Sequence, residues 1–441
     1  MKTENRRDFI KRSTMVSTGI AVGAPAYIRG YATRNPSDVI NMASVGIRSQ
    51  GRNHYRTFMR SKNARVIAVC DPDENLLPRA VTDIEEMGGA KPKTYIDVRD
   101  LLENKDIEAI SIGAPDYWHA LIAIWACQAG KDVYVEKPLS YTIAEGRKMV
   151  EAARKYNRIV QVGTQHRSNK VSKKAIQMLH EGVIGDIYFG RGTVYGYRGS
   201  IGRVADSPVP EGVNWDLYRG PAPMRPFNTN HFHYNWHWYW DTGTGEFGNN
   251  GVHSLDRIRL GMKKNVHPSK ISCCGGFYAH DSDQEVPNLQ IATFEYDDGA
   301  IMEVVVRSLP TPSEGGLLWL GTEGYAELTG SSFQTFMGPK KEPGVNITSE
   351  DIPDAESSDP EINPHYANFL DCIKSRNHND LVADVLEGHM STSMMLLGNI
   401  AYRTGRKLIF DGKTERFVND KEADSYLTRE YRKPYVLPEK V

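Results

Sequence analysis

The chain has few cysteines, no excess of either charge and no long apolar run. Its five cysteines, Cys70, Cys127, Cys273, Cys274 and Cys372, follow no regular spacing. That excludes a disulfide framework and a zinc motif, and leaves them as small buried hydrophobes. Lys and Arg number 54 against 55 Asp and Glu, a formal net charge of −1. Such a balance lacks the basic footprint of a nucleic-acid binder. No stretch approaches the roughly 20 apolar residues of a membrane helix, and there is no internal repeat. The chain reads as a soluble globular protein with room for two or three domains.

Residues 1–33 do not read as fold. Asn5-Arg6-Arg7-Asp8-Phe9-Ile10-Lys11 precedes a weakly apolar stretch from Ser13 to Ala24, and Ala24-Pro25-Ala26 or Ala32 offers a cleavage site. This pattern predicts a twin-arginine export signal and a periplasmic or otherwise exported protein. The bland alternative is a basic disordered tail.

Residues 37–160 alternate between strand-like and helix-like segments, which predicts a doubly wound parallel sheet of the Rossmann kind in an α/β chain. Val39–Val45 reads as the first strand and runs into Gly46-Ile47-Arg48-Ser49-Gln50-Gly51. In a dinucleotide fingerprint the first Gly makes the turn and the third lets helix and strand approach. Arg48 stands where the second Gly belongs. Asp71 ends the next β-rich run, twenty residues past Gly51, where a carboxylate would hold an adenosine ribose. It would repel a 2′-phosphate, so NAD is favoured, although Arg48 leaves NADP open. Trp118–Ala129 reads as an apolar helix stopped by Gly130, and Thr142-Ile143-Ala144-Glu145 as a capping box. Between them, Asp132–Val135 reads as a buried strand leading to Glu136-Lys137-Pro138, at the strand end where open α/β sheets place ligands.

Residues 161–441 change character. Strands are expected at 186–197, 270–278, 289–296, 300–308, 317–320 and 326–328, with Asp297-Asp298-Gly299 as a hairpin turn. They predict an α+β substrate domain built on a large, mostly antiparallel open sheet. Residues 200–235 read as an irregular excursion over the pocket and 338–364 as a surface loop. Residues 383–403 read as a long helix.

Gly46…Gly51, Asp71-Pro72, Pro115-Asp116-Tyr117-Trp118-His119 and Glu136-Lys137-Pro138, in this order, resemble the glucose–fructose oxidoreductase, inositol dehydrogenase and rhizopine-catabolism family (Gfo/Idh/MocA). The resemblance covers nearly the whole chain after the export signal. It implies an NAD(P)-dependent oxidoreductase acting on CH–OH groups of a sugar, cyclitol or glycoside. Cofactor contacts fall on Gly46, Arg48, Gly51, Asp71, Pro115, His119, Glu136 and Lys137. A homo-oligomer, dimer or tetramer, is implied as well.

Lys137 and His253 are the implied proton-handling residues, with Asn249 four residues before His253, on the same helix face. The family pattern has Asp at that position; an Asn can orient a hydroxyl but takes no proton. A capping Asn and a packed His are the structural alternative. Some family members instead cleave glycosides by transient oxidation. They commonly lack the Lys, so Lys137 favours net redox chemistry. A non-catalytic sugar-binding relative is a third reading.

The segment from His231 to Asp241 is the most aromatic stretch. On a helix, His233, His237 and Asp241 would offer a facial metal set. Stacking of Trp and Tyr on a sugar explains the composition more simply. His237, Trp240 and Asp241 are therefore the expected carbohydrate contacts, and no metal is expected.

Overall fold

The computed structural model describes residues 39–312, 315–330, 332–353 and 357–441. The expected export signal in residues 1–33 lies outside the described residues.

Short β-branched runs build the first sheet: β1 (Ile40–Val45), β2 (Ala64–Cys70), β3 (Lys93–Tyr95), β4 (Ala109–Ile112), β5 (Asp132–Val135) and β6 (Val160–Val162). Their order is β3-β2-β1-β4-β5-β6 and every pairing is parallel. The order reverses between β1 and β4, which opens a crevice at their carboxyl ends. Helices α1 (Ser49–Arg60), α2 (Leu77–Glu86), α3 (Val98–Glu103), α4 (Asp116–Gln128) and α5 (Ile143–Lys155) connect the strands. The capping box at Thr142 and Glu145 starts α5 with both reciprocal bonds. Gly130 follows α4 at φ +77°, the left-handed stop expected of it.

After α6 (Lys170–His180) comes β7 (Ile187–Tyr195), then the excursion, whose only α-helix among the described residues is α7 (Trp215–Arg219). Helix α8 (Val252–Gly261) precedes β8 (Lys270–Gly276), β9 (Leu289–Glu295), β10 (Ile301–Arg307), β11 (Gly316–Gly321), β12 (Gly324–Thr329), β13 (Ser332–Met337) and β14 (Glu342–Thr348). Helices α9 (Pro364–Ser375) and α10 (Val385–Thr404), strands β15 (Leu408–Asp411) and β16 (Arg416–Phe417), and helix α11 (Lys421–Ser425) complete the order. The second sheet has ten strands, β14-β13-β12-β11-β7-β10-β9-β8-β15-β16. Among the described residues, only β7 and β10 pair in parallel in this sheet. Alternate residues such as Met302, Val304 and Val306 pack beneath Leu255, Ile258 and Leu397 of α8 and α10.

Three expectations need correction. Strand β14 lies inside the stretch expected to be a surface loop. Pro343 and Gly344 hide it in the sequence, and Pro is tolerated there because β14 is an edge strand. Cys274 is exposed on β8 and Cys273 is only partly covered, whereas Cys70, Cys127 and Cys372 are buried. Residues expected in the substrate domain also complete the core of the first sheet: Tyr366, Phe369 and Leu370 of α9 pack with Met42, Phe58 and Tyr134. Among the described residues, no helix is long and apolar enough to cross a membrane.

Candidate functional site

At the crevice, backbone approaches too closely for side chains. Gly46 has φ +72°, and a Cβ there would lie 2.5 Å from the Ala114 nitrogen. A Cβ on Gly51 would lie 1.6 Å from the Gly46 oxygen. Gly51 is therefore the helix-packing glycine and does not line the cleft itself. Gly46, Arg48, Asp71, Pro115, His119, Glu136 and Lys137 all line one cleft. Asp71 accepts from the Ile47 N–H at 2.9 Å and the Asp73 N–H at 3.0 Å. Burial drives its carboxyl up to about 7, against those two bonds. The His119 ring lies 2.8 Å from both the Pro138 and Ala114 carbonyls, tying the two ligand-side loops together.

Glu136 is buried and held from several sides. Its Oε1 meets His54 Nε2 at 3.1 Å, Gln165 Nε2 at 3.0 Å and Gln50 Nε2 at 3.3 Å. Burial pushes this carboxyl up, but the His54 bond and the nearby Lys137 charge outweigh it and hold it at about 2. Glu136 thus anchors the strand end that carries Lys137. Lys137 Nζ donates to the Asn249 carbonyl at 2.8 Å and to Asn249 Oδ1 at 3.3 Å. Asn249 lies in a π-turn, Phe247–Gly251, that leads into α8. Such turns recur at functional sites because they re-aim side chains. His253, one turn on, lies outside the lined cleft. Its ring meets His166 edge-on at 4.8 Å, and its buried Nδ1 has no partner. Burial, reinforced by Lys137, pushes its pKa far below the ordinary imidazole range, so the ring is neutral.

The aromatic segment is not one α-helix. A 3₁₀ turn, His233–Trp238, gives way to extended backbone at Tyr239, so the facial spacing at 233, 237 and 241 does not arise. His233 reaches Asp73 at 3.3 Å, His237 lines the cofactor cleft, and Asp241 pairs with Arg219 and Arg225, each at 2.7 Å. Trp240 and Asp241 line a second cavity instead, with Arg403 and Arg429. The structure therefore separates them from His237. A different group, His267, His389 and Glu415, has metal-compatible spacing. There, Arg147 already occupies Glu415, at 2.6 and 3.0 Å, with its own positive charge.

Sequence reasoning missed Asp116, Tyr234 and Glu246. Asp116 lines the cleft, accepts from Thr244 Oγ1 at 3.0 Å, and is driven up to about 7 by burial. It was legible as the acidic residue at the helix start after Pro115. Tyr234 and Glu246 carry no such signal, because only the tertiary fold brings them to Asn249.

Residues 40–164, which hold these glycines and Asp71, match an oxidoreductase family's NAD-binding Rossmann fold, and residues 193–312 and 328–437 match its C-terminal alpha/beta domain. The chain belongs to the Gfo/Idh/MocA oxidoreductase family. Its cofactor is NAD. The curated relatives include a glycosyl hydrolase family 109 protein of Shewanella baltica, 25% identical over 209 residues, 43% of this chain and 46% of that protein. The match thus spans about half the relative's length. Among solved structures, the WlbA dehydrogenase of Bordetella pertussis, in complex with NADH and UDP-GlcNAcA, is 19% identical with a TM-score of 0.63. It covers 85% of this chain and 99% of its own. The aldose-aldose oxidoreductase of Caulobacter crescentus is 18% identical over 84% of this chain and 100% of its own, TM-score 0.64. These structures share the fold of this chain.

The residues present fit NAD. The glycine turn leaves room for a pyrophosphate against backbone at the start of α1, Asp71 suits an adenosine ribose, and Lys137 lines the same cleft.

Proposed function

We propose that this protein is an exported oxidoreductase that oxidises or reduces a secondary alcohol of a sugar, cyclitol or glycoside, using an NAD it does not release between turnovers. The observation that carries this reading is the strap over the cofactor cleft. Tyr218, His233 and Tyr234 from the excursion, and Trp236 and His237 just after it, line the same cleft as Gly46 and Asp71. The strap is tied to the adenosine side by Asn214 N–H to the Pro72 carbonyl, Glu74 N–H to the Gly212 carbonyl, both 2.8 Å, and Asn75 Nδ2 to the Glu211 carbonyl at 2.9 Å. A cofactor beneath it leaves only when those bonds open. Retention suits an exported enzyme, because no pool of free NAD exists outside the cytoplasm. The twin arginines at 6 and 7 support export, and the Asp71 carboxylate favours NAD over NADP.

When bound, NAD supplies the hydride acceptor and donor. The chain's own residues handle the proton. Lys137, fixed by Asn249, bonds the substrate hydroxyl: its amine takes the hydroxyl proton as the C–H bond breaks in oxidation, and its ammonium returns that proton in reduction. His253, one turn beyond Asn249, is the second proton-handling residue; its lowered proton affinity suits a transient relay through its unpartnered Nδ1. His237 contacts the sugar from the strap. A homo-oligomer is expected through the outer face of the second sheet, where Ile301 is exposed beside Phe189.

A second reading is glycoside cleavage through transient oxidation, favoured by the relatives named glycosyl hydrolase family 109 protein. Mass spectrometry of the purified, denatured protein tests retention: stoichiometric NAD(H) is expected, and a cofactor-free protein would overturn it. Sugars that change the absorbance of the bound ring then identify net redox substrates. Release of an aryl leaving group with no net change in that ring would establish cleavage instead.

A further inference from the structure

Asn249 is held between groups of opposite hydrogen-bonding character. Lys137 has only donors to offer, and an ionised carboxylate only acceptors. Asn249 Oδ1 faces Lys137 Nζ at 3.3 Å, while Asn249 Nδ2 donates to Glu246 Oε2 and to the Tyr234 hydroxyl, both at 3.1 Å. Both amide hydrogens and the amide oxygen are therefore engaged, and a flipped amide would oppose Nδ2 to Nζ. Glu246 is buried at 1% exposure. It is itself fixed by Arg198, at 3.1 and 3.2 Å, and by the side-chain amide of Asn250.

We infer that Glu246 is a positioning residue for the proton-handling site. It supplies, one turn earlier, the carboxylate that position 249 lacks, and acts on Lys137 through the Asn249 amide. A carboxylate on Nδ2–H selects the amide orientation and strengthens Oδ1 as an acceptor. Lys137 is also within electrostatic reach of Asp116, Glu136, His119, His166, His237 and His253. Of these groups and Glu246, only Glu246 bonds the Asn249 side chain. This inference rests on the oxidoreductase reading above.

The pattern of donors and acceptors makes the test specific. In Glu246→Gln, the new amide gives its oxygen to Arg198 and its N–H groups to Asn249, which turns Asn249 Nδ2 toward Lys137. In Asn249→Asp, two carboxylates stand where one hydrogen bond was. In the double variant the pairs around position 249 match again, while Arg198 keeps one of its two bonds to position 246. Arg198 donates to the amide oxygen now at position 246, that amide's N–H donates to the carboxylate now at position 249, and Lys137 donates to the same carboxylate. Each single variant is expected to lower turnover of the bound cofactor about 10- to 100-fold and to shift its pH profile, the loss typical of removing an orienting partner. The double variant should return to within about 3-fold of the starting enzyme, far from additive behaviour. A Glu246→Gln enzyme with unchanged rate and pH profile, or a double variant no better than its worse parent, would overturn the inference. Acylation of Lys137, followed by peptide mass spectrometry, reads the same relay without turnover. It should accelerate in Glu246→Gln, where Lys137 loses its side-chain acceptor and keeps only the Asn249 carbonyl, and return to the original rate in the double variant. If no sugar is oxidised by the unaltered protein, the oxidoreductase reading fails while the acylation series still decides the role of Glu246.

Discussion

At the residue scale the cofactor cleft is shaped by carboxylates placed where water is scarce. Asp71 titrates at about 7 because burial outweighs the two backbone N–H groups that stabilise its charge. The neighbouring Asp73 opposes ionisation and Arg48 favours it. Ribose hydroxyls donate most strongly to the ionised form. NAD affinity should therefore rise with pH through 7 and fall up to about tenfold per unit below it. Calorimetric titration of cofactor-stripped protein at several pH values checks this, and Asp71→Asn should give a weak, flat profile. Stability has the opposite sign. Since the folded-state value lies above the ordinary 3.8, the stability this group contributes is present at low pH and lost as pH rises through 7.

At the scale of elements, the turn from β1 to α1 and the strap across the cleft set the cofactor's surroundings. Gly51→Ala would place a methyl 1.6 Å from a backbone oxygen, and that oxygen belongs to a fixed turn. The expected outcome is a loss of about 2–3 kcal/mol or more in thermal unfolding, with loss of co-purified NAD. The strap can be loosened without touching the turn. His233→Ala with Asn75→Ala removes the links to Asp73 and to the Glu211 carbonyl. Two such bonds contribute about 1 kcal/mol each, so NAD dissociation should accelerate roughly tenfold or more. Stopped-flow release into a scavenging dehydrogenase measures it. An unchanged rate would mean that the strap does not gate the cofactor.

At the scale of the whole molecule, a buried charge network joins the segment after β6 to α8 and α10. Arg167 makes a two-point contact with Asp256 at 2.6 and 2.7 Å, and its Nη2 also reaches Glu387 at 3.1 Å. Arg259 also pairs with Glu387, and Ser391 donates to Asp256 at 2.7 Å. Burial alone would raise the Asp256 carboxyl; Arg167 reverses that and holds it at about 2. Its contribution to stability is present above the ordinary carboxylate range and is lost as pH falls toward 2. Asp256→Asn leaves Arg167 and Arg259 with one carboxylate between them. Denaturant unfolding at neutral pH should show a loss of about 3–5 kcal/mol. Removing this one carboxylate is expected to destabilise the packing of the segment after β6 on α8 and α10 more than loss of any surface pair would.

Much of this architecture is written locally. Alternating strands and helices, the glycines at 46 and 51, the acidic residue ending β2, the capping box before α5 and the Glu136-Lys137-Pro138 exit are each short-range patterns, so composition and spacing determine the Rossmann sheet and the cofactor end of the site. The second sheet's central strands were equally legible, because apolar alternation marks a half-buried strand. Tertiary structure decided the rest, because those groups are placed by backbone pairing, packing and turn geometry that side-chain spacing does not encode. Strand β14 exists because β13 offers an edge, α9 completes the core of a sheet begun near the other end of the chain, and the strap is pinned by backbone bonds that no side-chain pattern encodes. The i, i+4 spacing placed Asn249 and His253 together, whereas the π-turn turned Asn249 toward Lys137, Tyr234 and Glu246. The missing carboxylate at position 249 was visible in the sequence; its replacement by Glu246 became visible only when the fold closed around it.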